Sequence, residues 1–374
     1  MLRAAGKPVR AYVGTYSWPQ GPEGSKGRGS GIYCFDMDPQ SGYLTQRSVF
    51  KDDSNPSWIA IDRTRTHLYA TNETEVGGVS AFSISAANGE LELLNRASSG
   101  GAGPAHLSIH PSGKYILVAN YAGGSVSVLP IIEGGKVGEP LETRKHSGTV
   151  GPPNASSGPK GSFAISGHDK PHAHMIESDP QGNFVLVADL GLDEIIIYKF
   201  DLKNGSLTPN NPPSLKLPPG DGPRHFVFQT NRHWLYTLQE ESSTLVACDY
   251  DSARGTLKVK QTISTLPKDF AGTDFTSEIV QSPDGRFIYV ANRLHDTIAW
   301  FSISSDGKLT WAGEEWTRGD YPRSFTIDPT GTFLFSCNQR SDAIACFKRE
   351  KKTGSLAFTG QYTPVGTPAI LRFL

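Results

Sequence analysis

The sequence predicts an all-β fold, a seven-bladed β-propeller of four-stranded antiparallel blades. Three observations carry that expectation. A strand–turn–strand pattern recurs six times, a Gly-x-Leu turn follows it in most units, and the two chain ends read as complementary parts of one more unit. Self-similarity at this spacing marks architectures whose units pack only against their neighbours.

The six segments begin at Asn55, Gly103, Pro171, Gly222, Thr276 and Tyr321. Each reads as a short strand, a tight turn and a second strand rich in β-branched and aromatic residues, as in GPAHLSIHPSGKYILVANY from Gly103. In four of them the turn is Pro-x-Gly: Pro111-Ser112-Gly113, Pro180-Gln181-Gly182, Pro283-Asp284-Gly285 and Pro329-Thr330-Gly331. Proline presets φ early in such a turn, and the glycine supplies a positive φ two residues later. The segments from Asn55 and Gly222 use polar residues instead. A third strand follows, as in Gly124–Ile131, Glu194–Asp201 and Asp296–Ile303. Gly-x-Leu turns at Gly89, Gly205, Gly255, Gly307 and Gly354 lead to a fourth. Four strands per unit, recurring every roughly 45 to 70 residues, are the pattern of propeller blades.

The tail Gly366–Leu374 resembles only a first strand. The head, Ala11–Ser17 followed by GIYCFDMD and Gly42-Tyr43-Leu44, resembles the other three. A last blade closed by N- and C-terminal strands would complete the ring and leave no open sheet edge. A chain of 374 residues ordinarily suggests more than one domain. A ring gains core with every blade, so residues 1–374 are expected to form one propeller domain. The Gly-, Ser- and Pro-rich stretch 146–170 is expected to be a loop insert or lid.

Composition narrows the partners. The net charge is −1, and no block of Lys or Arg stands out. Neither a nucleic-acid nor a membrane-surface partner is expected from that balance. No apolar run is long enough to span a bilayer. Arg3, Lys7 and Arg10 are not followed by the apolar stretch of a signal peptide. A cytoplasmic protein is therefore expected. Cys34, Cys248, Cys337 and Cys346 sit singly inside apolar strand-like runs and are expected to be buried free thiols. Nothing in these features sets an oligomeric state.

Blade geometry locates a site. The first strand of a blade lines the central channel and the second runs back beside it. The start of strand one and the end of strand two therefore share one mouth. The first set contains Ser57, His106, His172 to His174, Arg224-His225, Ser277-Glu278 and Arg323-Ser324. The second contains Glu73, Tyr121, Asp189, Glu240-Glu241, Asn292-Arg293 and Asn338-Gln339. Convergent polar groups in a concavity are the natural place for a ligand. Structural roles compete for some of them. Asn72, Asn120, Asn292 and Asn338 recur at one blade position and are expected to bond turn backbone. His106 and His225 are expected to stack between blades, and His67, His110 and His233 to lie on the surface beside turns. Arg224 and Glu240 flank one hairpin and suit an ion pair. Function is favoured over structure at His174, Arg224, Glu240 and Arg293.

These residues sit in motifs that resemble a known family. YVGTYS, SSGGAGPAHLSIHPSGKYILVANY, PHAHMIESDPQGNFVLVADL, GPRHF, SPDGRFIYVANR and YPRSFTIDPTGTFL occur in order over nearly the whole chain. The sequence is similar to the seven-bladed propeller lactonases, which include propeller-type 6-phosphogluconolactonases and fungal carboxy-cis,cis-muconate lactonizing enzymes. The resemblance implies a site of one His, two Arg and one Glu. By motif these are His174 in PHAH, Arg224 in GPRH, Glu240 in YTLQEES and Arg293 in VANR. Where members often carry a histidine after Glu-Ile, this chain has Val280 after Glu278-Ile279.

The activity so implied is hydrolysis of a sugar lactone bearing a phosphate or carboxylate. Arg224 and Arg293 would clamp the anionic group or the developing oxyanion. Arg323, Glu278 and His172 are expected to add substrate contacts. His174, with an ordinary pKa of about 6.5, would act as general base. Glu240 would orient the imidazole or the water, or itself be the base. Neither cofactor nor metal is expected, although His172 and His174, two apart on a strand, would face the same way. Two other readings remain: a carboxymuconate cycloisomerase using the same four residues, and a non-catalytic binding or scaffold propeller.

Overall fold

The computed structural model describes residues 7–17, 26–162, 167–229 and 233–374. Inner and outer strands differ in sequence because they differ in surroundings. Second strands such as Phe184–Asp189 and Phe287–Asn292 are buried at every position, since another blade covers each of their faces. Outer strands such as Leu309–Trp316 keep several residues in contact with solvent. The result is seven four-stranded antiparallel sheets arranged as blades. The apolar cores lie between adjacent sheets. Leu117 and Val126 of one blade pack with Ile176 and Val185 of the next, and Leu186 and Ile197 pack in turn with Phe226 and Leu235.

The ring closes as expected. The C-terminal strand Pro368–Phe373 pairs with Val9–Thr15, with Ala11 opposite Phe373 and Val13 opposite Leu371. Gly31–Met37 and Leu44–Lys51 complete that blade. The hairpin turns also follow the sequence. Gly113, Gly182, Gly285 and Gly331 all have φ between 70° and 79°. Arg65 occupies the same turn position in the Asn55 unit, with φ 59°.

Side-chain bonds of three of the recurrent asparagines tie their blades to the ones before them. Asn120, Asn292 and Asn338 donate to the carbonyls of Ser99, Thr265 and Thr317, just beyond the preceding blade's last strand. At the corresponding position of another blade Asp189 stands in place of asparagine, and its partner is the imidazole of His146, 2.6 Å away. Asp189 also accepts from the His172 and Leu192 amides. Here the partner just beyond the preceding strand, Glu142–Lys145, is a side chain and not a carbonyl, and a carboxylate takes the place of the donating amide. The 146–170 insert is held again where His168 meets Asp193 at 3.2 Å. One surface expectation fails. His110 is buried, because its ring stacks on Phe200 and meets the Gly182 carbonyl of the next blade.

Candidate active site

The mouth is built from β-bulges. In six of the seven pairs of first and second strands the register slips near the channel mouth. Opposite pairs Pro104–Asn120, Ala173–Asp189, Pro223–Gln239 and Pro322–Asn338 are each followed by one extra residue on the first strand. Those extra residues are Ala105, His174, Arg224 and Arg323, and Ala369 is their counterpart in the closing blade. A bulge re-aims a side chain that regular alternation would point into a blade. Ala105, His174, Arg224, Arg323 and Ala369, with Ser57, accordingly line one small cavity together with Tyr16, Trp58 and His225.

The residue just beyond each second strand supplies a second ring of groups, including Tyr16, Glu73, Tyr121, Glu240 and Arg293. Glu240 is gripped by two guanidiniums, with Arg224 Nε 2.9 Å from Oε2 and Arg293 Nη2 2.7 Å from Oε1. Arg224 also donates to the Ser277 carbonyl. Arg293 is 1% exposed, bonds the Tyr321 hydroxyl at 3.2 Å and lies over the Phe275 and Tyr321 rings. Across the mouth, Arg323 Nη2 donates to Tyr16 Oη at 2.9 Å, and Tyr16 donates to Glu73 at 3.0 Å. Ser57 donates to the same Glu73 oxygen.

Burial sets the charge states. It draws the Arg224 guanidinium down to about 10, helped by the cations of Arg323 and Arg293, so Arg224 stays protonated at neutral pH. It holds His174 well below the usual histidine range, reinforced by Arg224. The sequence expectation of an ordinary histidine near 6.5 is thus corrected: three guanidiniums and a buried ring keep His174 neutral. Its Nδ1 has no hydrogen-bond partner among the described residues. Burial also raises the Glu73 carboxyl, against the pull of Arg323.

The predicted residues do not all meet. His174, Arg224 and Arg323 share the cavity, with Glu240 paired to Arg224 and Arg293 paired to Glu240. His172 stands apart. It precedes the strand Ala173–Ser178, the register shift at Ala173/Met175 breaks its alternation with His174, and its nitrogens engage Tyr121 O and Asp169. The two histidines therefore do not present one face. Among the described residues no group of three or more His, Cys, Asp or Glu is arranged to hold a metal ion. Glu278 lies one layer deeper, 3.0 Å from His225 Nδ1. Tyr16 and Glu73 were not chosen as site residues from sequence. Their offset was the available signal: each follows a second strand, as Glu240 and Arg293 do.

The chain as a whole is matched by known proteins. The family model described as "Lactonase, 7-bladed beta-propeller" covers residues 10–373. The chain belongs to that lactonase family. A 6-phosphogluconolactonase of Bacillus subtilis (strain 168) is 34% identical over 365 residues, 97% of either chain. A 6-phosphogluconolactonase of Formosa agariphila is 34% identical over 352 residues, 92% of this lactonase and 94% of that protein. The solved periplasmic gluconolactonase of Pseudomonas aeruginosa superposes with a TM-score of 0.86 at 27% identity, covering 98% of this lactonase and 99% of that chain. As an enzyme fold it is thus a lactonase scaffold, and no helix among the described residues is long and apolar enough to cross a membrane.

Proposed function

We propose that this lactonase hydrolyses a phosphorylated sugar lactone such as 6-phosphogluconolactone. One observation carries the reading: a neutral imidazole with an unpartnered Nδ1, His174, shares a cavity with two guanidiniums, Arg224 and Arg323. A neutral ring accepts a proton from water, and fixed cations meet charge that develops on the carbonyl oxygen or already sits on the substrate. Arg224 is the more rigidly held of the two, through Glu240 and Ser277, and suits the oxyanion. Arg323, beside the Tyr16 and Ser57 hydroxyls, suits the phosphate. Glu240 with both oxygens on guanidiniums is a positioning residue, which leaves His174 as the base. His174 takes the proton as water attacks, then returns it to the leaving ring oxygen. A cytoplasmic setting belongs to this proposal, since all four cysteines are buried free thiols.

The test is an assay of the purified protein on 6-phosphogluconolactone, neutral aldonolactones and carboxymuconate, with His174→Ala alongside. The phosphorylated lactone should open well above its spontaneous rate, and His174→Ala should lose about 100-fold or more of that enhancement. Turnover of carboxymuconate alone would make it a cycloisomerase. No turnover, or an equally active variant, would sink the catalytic reading.

A further inference from the structure

The mouth cavity has a far side. Trp58 and His225 line it, and the same two residues line a chamber of about 1180 Å³ behind it. That chamber extends to the hairpin turns at the opposite face, where Arg63, Thr64, Ser112 and Pro283 on its rim are exposed. His225 therefore sits between the catalytic cavity and a route to solvent on the other side of the ring.

Its two nitrogens look different ways. Nδ1 is 3.0 Å from Glu278 Oε1, which also accepts the Ile279 amide at 3.1 Å. With Nδ1–H donating to the carboxylate, Nε2 is left as the acceptor. Nε2 lies 3.5 Å from Arg224 Nη1, and the ring centroid is 5.0 Å from that of His174. Glu278 is 4% exposed and lines the chamber, and its Oε2 has no hydrogen-bond partner among the described residues. A buried carboxylate with one oxygen on an imidazole and the other unpaired beside a solvent route is costly unless it has a task.

The proposed reaction supplies one. Water adds to the carbonyl carbon and the bond from that carbon to the ring oxygen breaks. One water proton ends on the ring oxygen as a hydroxyl, and the new carboxyl group sheds the other at neutral pH. One proton is released per turnover, and it is released inside the cavity, where the product anion lies on Arg224 and Arg323 in front of His174. Resting on the hydrolase reading, we propose that the His225–Glu278 pair carries that proton from the His174 side of the cavity to the rear chamber. His225 takes a proton at Nε2, directly from the His174 side or through one water, and gives the Nδ1 proton to Glu278. Glu278 passes it to solvent in the chamber, and a turn of the neutral ring, which brings the protonated nitrogen back to Glu278, restores the resting arrangement without returning the proton to the cavity.

The surroundings suit a group that both takes and yields a proton. Burial pushes the Glu278 carboxyl up to about 7, with Arg372 and Arg224 opposing. Burial also holds His225 well below the usual range, with Arg224 adding to it, so His225 is charged only in transit. Six other titratable groups line the same chamber: Asp62, Arg63 and His110 at its hairpin-turn end, His106, whose ring is 5.7 Å from that of His225, Glu177, and Arg372 over the Trp58 ring at 4.6 Å.

Glu278→Gln tests the relay, because the amide oxygen still accepts from His225 but cannot hold the transferred proton. In dilute buffer its kcat should fall about tenfold with KM unchanged, and its solvent deuterium isotope effect should rise. Concentrated imidazole buffer should restore kcat to within about twofold of wild type, which a packing defect would not allow. His225→Gln interrupts the chain at another point and should give the same buffer-rescued loss, so the relay stays testable if one variant misfolds. Wild-type turnover by these variants in dilute buffer, or a loss indifferent to imidazole, overturns the relay alone. A wild-type protein that hydrolyses no lactone overturns the hydrolase reading and the relay together.

Discussion

His174 is where single-residue chemistry is decided. An exposed histidine would lose its base form as pH falls through about 6.5. Burial and Arg224 place this ring well below that, so the neutral form persists to lower pH. Activity tied to the neutral ring should be present above the lowered value and lost only as pH falls through it. The expected kcat/KM profile is flat from about pH 8 to about pH 6, with its acid limb well below the ordinary histidine range. A limb at about 6.5 would mean that the imidazole is solvated or is not the base. Sequence placed His174, Arg224 and Glu240 at the mouth because chemistry-bearing types recurred at mouth offsets. It could not assign their charge states, which depend on what else is buried nearby. Three arginines from different blades converge only in the folded ring, so a histidine near 6.5 and a Glu240 free to act as base were both reasonable expectations. Glu240 instead has both oxygens on guanidiniums.

At the scale of strands and turns, repetition made the fold readable and bulges hid part of the site. Strand ends, Pro-x-Gly turns and Gly-x-Leu turns repeat, so their positions could be read by alignment of the chain with itself. A bulge adds one residue without any change of composition, and alternation counted across it fails. That is why His172 and His174 looked equivalent and are not. The same alignment yields a stability test. Arg65 stands at the turn position where four other blades place glycine, in a left-handed conformation that costs a non-glycine residue about 1 kcal/mol. Arg65 is exposed, and its neighbour Asp62 bonds the turn amides and His67 rather than the Arg65 side chain. Arg65→Gly should therefore raise the urea midpoint, by up to about 1 kcal/mol in unfolding free energy, with activity unchanged. A lowered midpoint would show that glycine's added freedom in the unfolded chain outweighs the relieved turn.

For the whole molecule, the decisive feature is closure, since each interface between blades supports the next and only a ring leaves no terminal face. Both chain ends were legible as one blade. What sequence did not reveal is how closely that blade meets the first. Gly14, in the closing strand Val9–Thr15, lies where an added Cβ would run into the carbonyl oxygen of Pro56 in the next blade and press on Ile370 and Ile59. A backbone carbonyl cannot swing aside as a side chain can, so relief requires the two blades to separate. The junction also reaches the mouth. Tyr16, two residues on, holds Arg323 and Glu73 across the mouth. Gly14→Ala should cost about 1–3 kcal/mol in urea unfolding, the range for overpacking a filled interior. It should also raise KM for a phosphorylated lactone more than it lowers kcat, because Tyr16 displaces the Arg323 bonded to it while His174 and Arg224 are held by other partners and keep their places. An unchanged unfolding midpoint would mean that the seam yields freely. A lost kcat at unchanged KM would mean that the closing blade acts on the chemistry of the site and not on its grip on the anion.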